Sequence, residues 1–282
     1  MLEHSELQTS YTLGAPPTSP ESRPRSATLF LLAVFGSTWL FQLPALLVDR
    51  GTLPGPRERF MPLVVLGFFA PAIFAVALSA LEGRAARREL WRPLTLWRVH
   101  PGWYAAALGL PCAIFVAMRA LAAAVGGSEL GPWLYPPAQP QQLAAMLIIP
   151  FTEQIPWRGY VYPRLQRAHG AQLASLLTGF AWSLFHVQKH AFIDPNATLT
   201  VALLTLAFMT SGTIVFSWIY LRTGGSLLLV VLANAGAYLN NPTTALPNTL
   251  PLALHTAGFC LCALALLLLD RSAWRRDTSA GA

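Results

Sequence analysis

An all-α, polytopic transmembrane helix bundle of about eight helices is the fold class this sequence predicts, on three observations. Of 282 residues, 54% are hydrophobic and 11% charged, whereas a soluble globular domain carries about 25% charged residues. Mean hydropathy is +0.48. The apolar residues come in long continuous runs, such as LAAMLIIP and LASLLTGFAW, rather than in alternation, which argues against a membrane barrel. Backbone polar groups in lipid must be satisfied within their own segment, so such runs read as helices.

In chain order, residues 1–25 are rich in Pro, Ser and Thr (GAPPTSPESRPRS) and cannot bury a core. They read as a disordered cytoplasmic tail ahead of a transmembrane domain at 26–272, with 273–282 as a short C-terminal tail. The first residues lack the charged-then-apolar order of a cleaved signal peptide, so none is expected. Hydropathy places spans at roughly 27–48, 61–81, 103–124, 142–162, 172–189, 198–220, 226–240 and 250–269. The fourth, fifth and seventh are the least apolar. Their polar residues are not needed by a purely structural helix in lipid, so function is sought there.

Arginine placement orients the chain. With the N-terminus inside, the inner segments hold Arg23 and Arg25, then Arg84, Arg87, Arg88, Arg92 and Arg98, then Arg158, Arg164 and Arg167, then Arg222, then Arg271, Arg275 and Arg276. The outer loops hold only Arg50, Arg57, Arg59 and Lys189. This bias predicts both termini in the cytoplasm, and the Arg/Ala/Leu/Pro-rich composition reads as a bacterial inner-membrane protein. The lipid bilayer is thus one expected partner.

Several function classes fall away. The net charge of +7 sits in short loops with no basic face able to follow a phosphate backbone, so no nucleic acid is expected. Cys112, Cys260 and Cys262 lie in apolar runs without metal or disulfide spacing. No internal repeat of the transporter kind is visible.

Glu153 is the one acidic residue inside an expected span, in FTEQIPWRGYVYPRLQ. An ionisable group in the bilayer is costly and marks a functional site by default. The structural alternative is an ion pair with Arg158. That residue is five positions on, a spacing that suits an α-helix poorly, with Pro156 between to distort the helix. His186 follows in the next span, with Trp182 one turn earlier and His190 one turn later. A site of Glu153, His186 and His190 holding a divalent metal such as zinc is one alternative, although Val187 stands where a zincin requires Glu. An interhelical hydrogen bond from His186 is another. In the seventh span Asn234 and Tyr238 share a face, flanked by Ala233, Ala235, Gly236 and Ala237, which permit close helix approach.

A carboxylate and an imidazole facing one water supply a general base and a partner that orients the water and protonates a leaving amine. Asn234 and Tyr238 each carry a donor suited to a tetrahedral oxyanion. The set suits hydrolysis of a peptide bond, with Arg158 as a brace. No nucleophile elbow or phosphate loop is present.

These segments resemble the CPBP family of intramembrane proteases: CAAX prenyl protease type II and bacteriocin-processing (Abi-type) enzymes. The first family motif, E-E-x-x-x-R, is similar to Glu153-Gln154-Ile155-Pro156-Trp157-Arg158. The second, an aromatic, three intervening residues and then His, fits Trp182 and His186. The third, His-x-x-x-Asn after a Gly-Ser, is similar to Gly225-Ser226 followed by Asn234 and Tyr238. The resemblance covers roughly residues 140–240. It implies an integral-membrane endopeptidase acting on a peptide or protein substrate, with Glu153 and His186 activating water and Asn234 and Tyr238 at the oxyanion positions. Gln154 stands where a second Glu is expected, Asn234 where His is expected and Tyr238 where Asn is expected. The glutamate mechanism requires no cofactor; many members are nonetheless labelled metalloproteases, and the missing third-motif His removes one metal ligand. Two readings follow: an active endopeptidase, or a catalytically degenerate membrane protein acting as a binding or immunity-type factor.

Overall fold

The computed structural model describes residues 22–124, 137–193, 198–238 and 249–275. The described residues are helices joined by turns, and the expected all-α polytopic bundle is what they form. Residues 1–21 of the expected N-terminal tail and 276–282 of the C-terminal one lie outside the described residues; the first helix already begins at Ser22.

The chain runs through α1 (Ser22–Asp49), α2 (Met61–Leu81), the short α3 (Arg84–Trp91) and α4 (Gly102–Ala124). It continues through α5 (Pro140–Gln154), a π-helical segment (Ile155–Val161), α6 (Tyr162–His169), α7 (Ala171–Ile193), α8 (Leu199–Arg222), α9 (Leu227–Tyr238), α10 (Thr249–Leu269) and α11 (Arg271–Trp274). Five segments among the described residues are long and apolar enough to cross a membrane: Ser26–Asp49, Arg57–Leu81, Gly102–Ala124, Leu199–Arg222 and Leu252–Leu269. The expected fourth span is a 15-residue α5 continued by the π segment. Of the expected seventh span the described residues include α9, 12 residues that run to Tyr238, where this described stretch ends.

α9 lies against α4, α5 and α8, and eight of its residues are buried. The crossing with α4 is close because α9 offers Gly236 there. A Cβ at Gly236 would stand 2.4 Å from the Leu108 carbonyl oxygen. Gly179 of α7 meets α8 in the same way, with a Cβ only 2.9 Å from Thr210 Cα.

Charged side chains tie one end of the bundle. Glu82, just after α2, accepts from Tyr160 and Arg164, and Glu89 of α3 accepts from Arg167 of α6. Arg222 pairs with Asp270, which also accepts from Trp218 Nε1 at 2.8 Å. The Arg222 and Trp218 donors hold the Asp270 carboxyl well below the usual carboxylate range. Ser226 donates to the Leu96 carbonyl at 2.6 Å, fixing the start of α9 against the segment after α3. At the opposite end Arg57 pairs with Asp49 at 3.1 Å.

The α4–α9 crossing sets a first expectation. Gly236→Ala should lower stability by about 1–3 kcal/mol, because a rigid carbonyl must move. Gly109→Ala, which meets nothing within 4 Å, should leave it unchanged or slightly raised. Thermal unfolding of the two variants in detergent checks the contrast.

Candidate functional site

Glu153 sits at the end of α5, where the sequence breaks the α-helical ladder. Pro156 has no N–H to give the Thr152 carbonyl, and Pro163 none to give Gly159. Between them the backbone widens to a π-helix, and the Tyr162 N–H bonds to the Trp157 carbonyl five residues back. Such wide turns recur at functional sites. The wider pitch also shrinks the angular offset between residues five apart, so the spacing of Glu153 and Arg158 separates them less than in an α-helix. Every residue of Ile155–Val161 is buried.

Arg158, fully buried, is held by α7 and α8. Its Nη2 donates to Thr213 Oγ1 at 2.9 Å. Its guanidinium lies 4.3 Å from the Trp182 ring centroid and 5.3 Å from that of Phe216. Cation–π contact of this kind is strongest where the cation is desolvated. Trp182 in turn fixes His186: the rings meet edge-on at 5.4 Å, and His186 Nδ1 lies 3.0 Å from the Trp182 carbonyl oxygen. A carbonyl can only accept, so Nδ1 carries a proton, and in the neutral imidazole Nε2 presents a lone pair. Phe185 closes on the ring at 5.6 Å and also contacts Trp157 of the π segment.

The carboxylate of Glu153 is where three helices meet. Asn234 Nδ2, from α9, donates to Oε2 at 2.7 Å. Tyr238 Oη, one turn further on, lies 3.3 Å from Oε1 and 3.4 Å from Oε2. These are long for O–H···O bonds, so Asn234 makes the firmer one. His186 Nε2 lies 3.7 Å from Oε1, beyond direct hydrogen-bond reach. Glu153 and His186 keep 19% and 17% of their side-chain surface exposed, enough for access from one side.

Glu153, His186, Asn234 and Tyr238 therefore come together, with Arg158 and Trp182 behind them. Both expected oxyanion donors rest on the Glu153 carboxylate in this conformation. Gln154 does not join through a hydrogen bond: it is fully buried, and its amide finds no partner among the described residues. The side chain of His190 lies outside the described residues. Among the described residues no three His, Cys, Asp or Glu side chains stand together as metal ligands. Glu153 and His186 supply two, where a catalytic zinc takes three protein ligands. His255 is elsewhere, buried in α10 against Phe115 at 4.3 Å.

Sequence reading passed over three features. Thr213 and Phe216 belong to α8, whose apolar run gave no sign that it would hold Arg158. The π turn was visible only as a pair of prolines. Arg119, buried in α4, is legible as the lone arginine of FVAMRALAA.

Residues 137–239 match the family model described as Rce1-like, type II CAAX prenyl endopeptidase. The match runs from the start of α5 past the end of α9 and contains every residue of the Glu153 cluster. It bears out the CPBP resemblance: this segment is similar to that membrane protease family. No curated protein sequence matches the chain.

The hold on Arg158 can be tested. Thr213→Val removes the acceptor from a fully buried guanidinium and should cost about 1–3 kcal/mol. Thr213→Ser, which restores a hydroxyl, should recover most of it. Unfolding measurements on the two variants read the difference directly.

Proposed function

We propose that this chain, whose α5–α9 segment is similar to a family of membrane endopeptidases, hydrolyses a peptide bond with Glu153 as general base. The observation that carries the reading is the approach of His186 Nε2 to Glu153 Oε1 at 3.7 Å, with Asn234 and Tyr238 donating to the same carboxylate. Two acceptors facing each other require a donor between them, and a water giving one O–H to each meets that need. A carboxylate has about four lone-pair sites, so the two protein donors leave room for it.

In the proposed reaction Glu153 takes one proton from this water. The water oxygen bonds to the scissile carbonyl carbon, and the carbonyl oxygen becomes the tetrahedral oxyanion. A protonated Glu153 no longer holds the charge that draws Asn234 and Tyr238, so both donors are released toward the oxyanion. The carbonyl re-forms, the C–N bond breaks, and the proton held by Glu153 passes to the leaving amine. His186 orients the water through Nε2. This glutamate mechanism routes no step through a metal. The family suggests a lipid-modified peptide as substrate. The arginine-rich end of the bundle fits a cytoplasmic location for both termini in a bacterial inner membrane.

A second reading is a degenerate member that binds without cleaving. Its supporting observation is that both oxyanion donors are already engaged by Glu153.

The two readings part on one assay, cleavage of a membrane-anchored fluorogenic peptide by the purified full-length protein. On the peptidase reading Glu153→Gln loses at least about 10²-fold in rate. Asn234→Ala and Tyr238→Phe each lose about 10²–10³-fold, and a chelator changes nothing. Full activity of Glu153→Gln sinks the reading. A binding phenotype unaltered by Glu153→Gln, with no cleavage by wild type, supports the degenerate one.

A further inference from the structure

A second site lies on the short helix α3 and the turn after it, outside the Glu153 cluster. Arg84, Arg87, Arg88 and Trp91 fall at i, i+3, i+4 and i+7 and so share one face of α3. Arg92 and Thr95 extend that face into the 3₁₀ turn Arg92–Thr95. Together the six line an open cleft of about 610 Å³. The rest of α3 anchors it. Leu90 is buried and packs at Gly159 of the π segment, where a Cβ would be only 3.2 Å from its Cδ1. Glu89 accepts from Arg167.

The four arginines of the cleft are exposed and make no ion pair or side-chain hydrogen bond among the described residues. The acids close by in the chain are committed elsewhere: Glu89 to Arg167 of α6, and Glu82 to Arg164 of α6 and Tyr160 of the π segment. Four guanidinium groups thus line one cleft without a counter-charge among the described residues. Apolar side chains flank it: Leu81 at the end of α2 is 83% exposed, and Trp91 and Trp97 are exposed. Exposed Trp beside Arg at the end of a membrane helix is the pattern of the headgroup layer. Arginines that only set topology need not share a face, because that effect counts charges in a loop.

We infer that the α3 cleft binds the phosphodiester headgroup of an anionic phospholipid of the surrounding bilayer. Guanidinium groups recognise phosphate oxygens in bidentate fashion. The acyl chains would run along the exposed apolar surface beside Leu81 and Trp91. This inference stands whether or not the chain cleaves peptides.

Native mass spectrometry of the purified full-length protein tests it, with phosphatidylglycerol and phosphatidylcholine of identical acyl chains as probes. Wild type should retain phosphatidylglycerol at least tenfold better than phosphatidylcholine. Near a membrane surface each basic residue contributes roughly fivefold to such binding. Arg87→Gln/Arg88→Gln should therefore lose roughly twentyfold for the anionic lipid, and Arg87→Lys/Arg88→Lys, which keeps the charges without the forked donors, should lose less than the Gln variant. Arg271→Gln/Arg275→Gln, at the same end of the bundle but outside the cleft, should behave as wild type. If the Gln double variant does not fold, the single variants Arg84→Gln and Arg92→Gln carry the test at roughly fivefold each. Equal retention of both lipids by wild type overturns the inference, as does equal loss in the Arg271/Arg275 control. Displacement of the lipid by an equal concentration of glycerol phosphate overturns it in favour of a soluble phosphate ligand.

Discussion

A carboxylate inside an apolar helix bundle needs donors, and the site is built around meeting that need for Glu153. On insertion scales an acidic side chain at the centre of a membrane helix costs about 2.5–3.5 kcal/mol. A hydrogen bond to a charged group returns about 1.5–3 kcal/mol. The 2.7 Å bond from Asn234 and the longer contacts of Tyr238 are therefore of the size needed to hold the charge in place. α9 is useful to the fold because it carries those two donors into the bundle, and Gly236 lets it approach α4 closely enough to do so.

Behind this junction, the π segment holds a second charge. Arg158 is kept by Thr213, Trp182 and Phe216. Trp182 passes that order on to His186 through its backbone carbonyl and its ring. The imidazole tautomer is thereby fixed by residues that do not touch the Glu153 carboxylate. Helix-breaking prolines, a buried guanidinium and a lone pair aimed at Glu153 form one chain of cause.

The polar residues of the site were legible because membrane sequences offer little reason for them. Glu153, His186, Asn234 and Tyr238 each stand out in an apolar run, and helical spacing pairs Trp182 with His186 and Asn234 with Tyr238. The helix type after Glu153 was not legible: two prolines signal a break, but a kink and a π turn satisfy that signal equally. Thr213 was hidden because a Thr in a membrane helix ordinarily bonds its own turn, and Thr213 does so as well, to Met209. The burial of α9 was hidden because hydropathy does not distinguish lipid-facing from helix-facing apolar residues. Gln154 is fully buried without a partner among the described residues, and nothing in the structure explains it.

The bond between Asn234 and Glu153 is the point on which the account turns, and a double-mutant cycle on thermal unfolding measures it most directly. Glu153→Ala, Asn234→Ala and the double variant should show a coupling of at least about 1 kcal/mol, within the range for groups in one hydrogen-bond network. Additivity to within about 0.3 kcal/mol would mean that the two side chains do not hold each other, and would contradict the account.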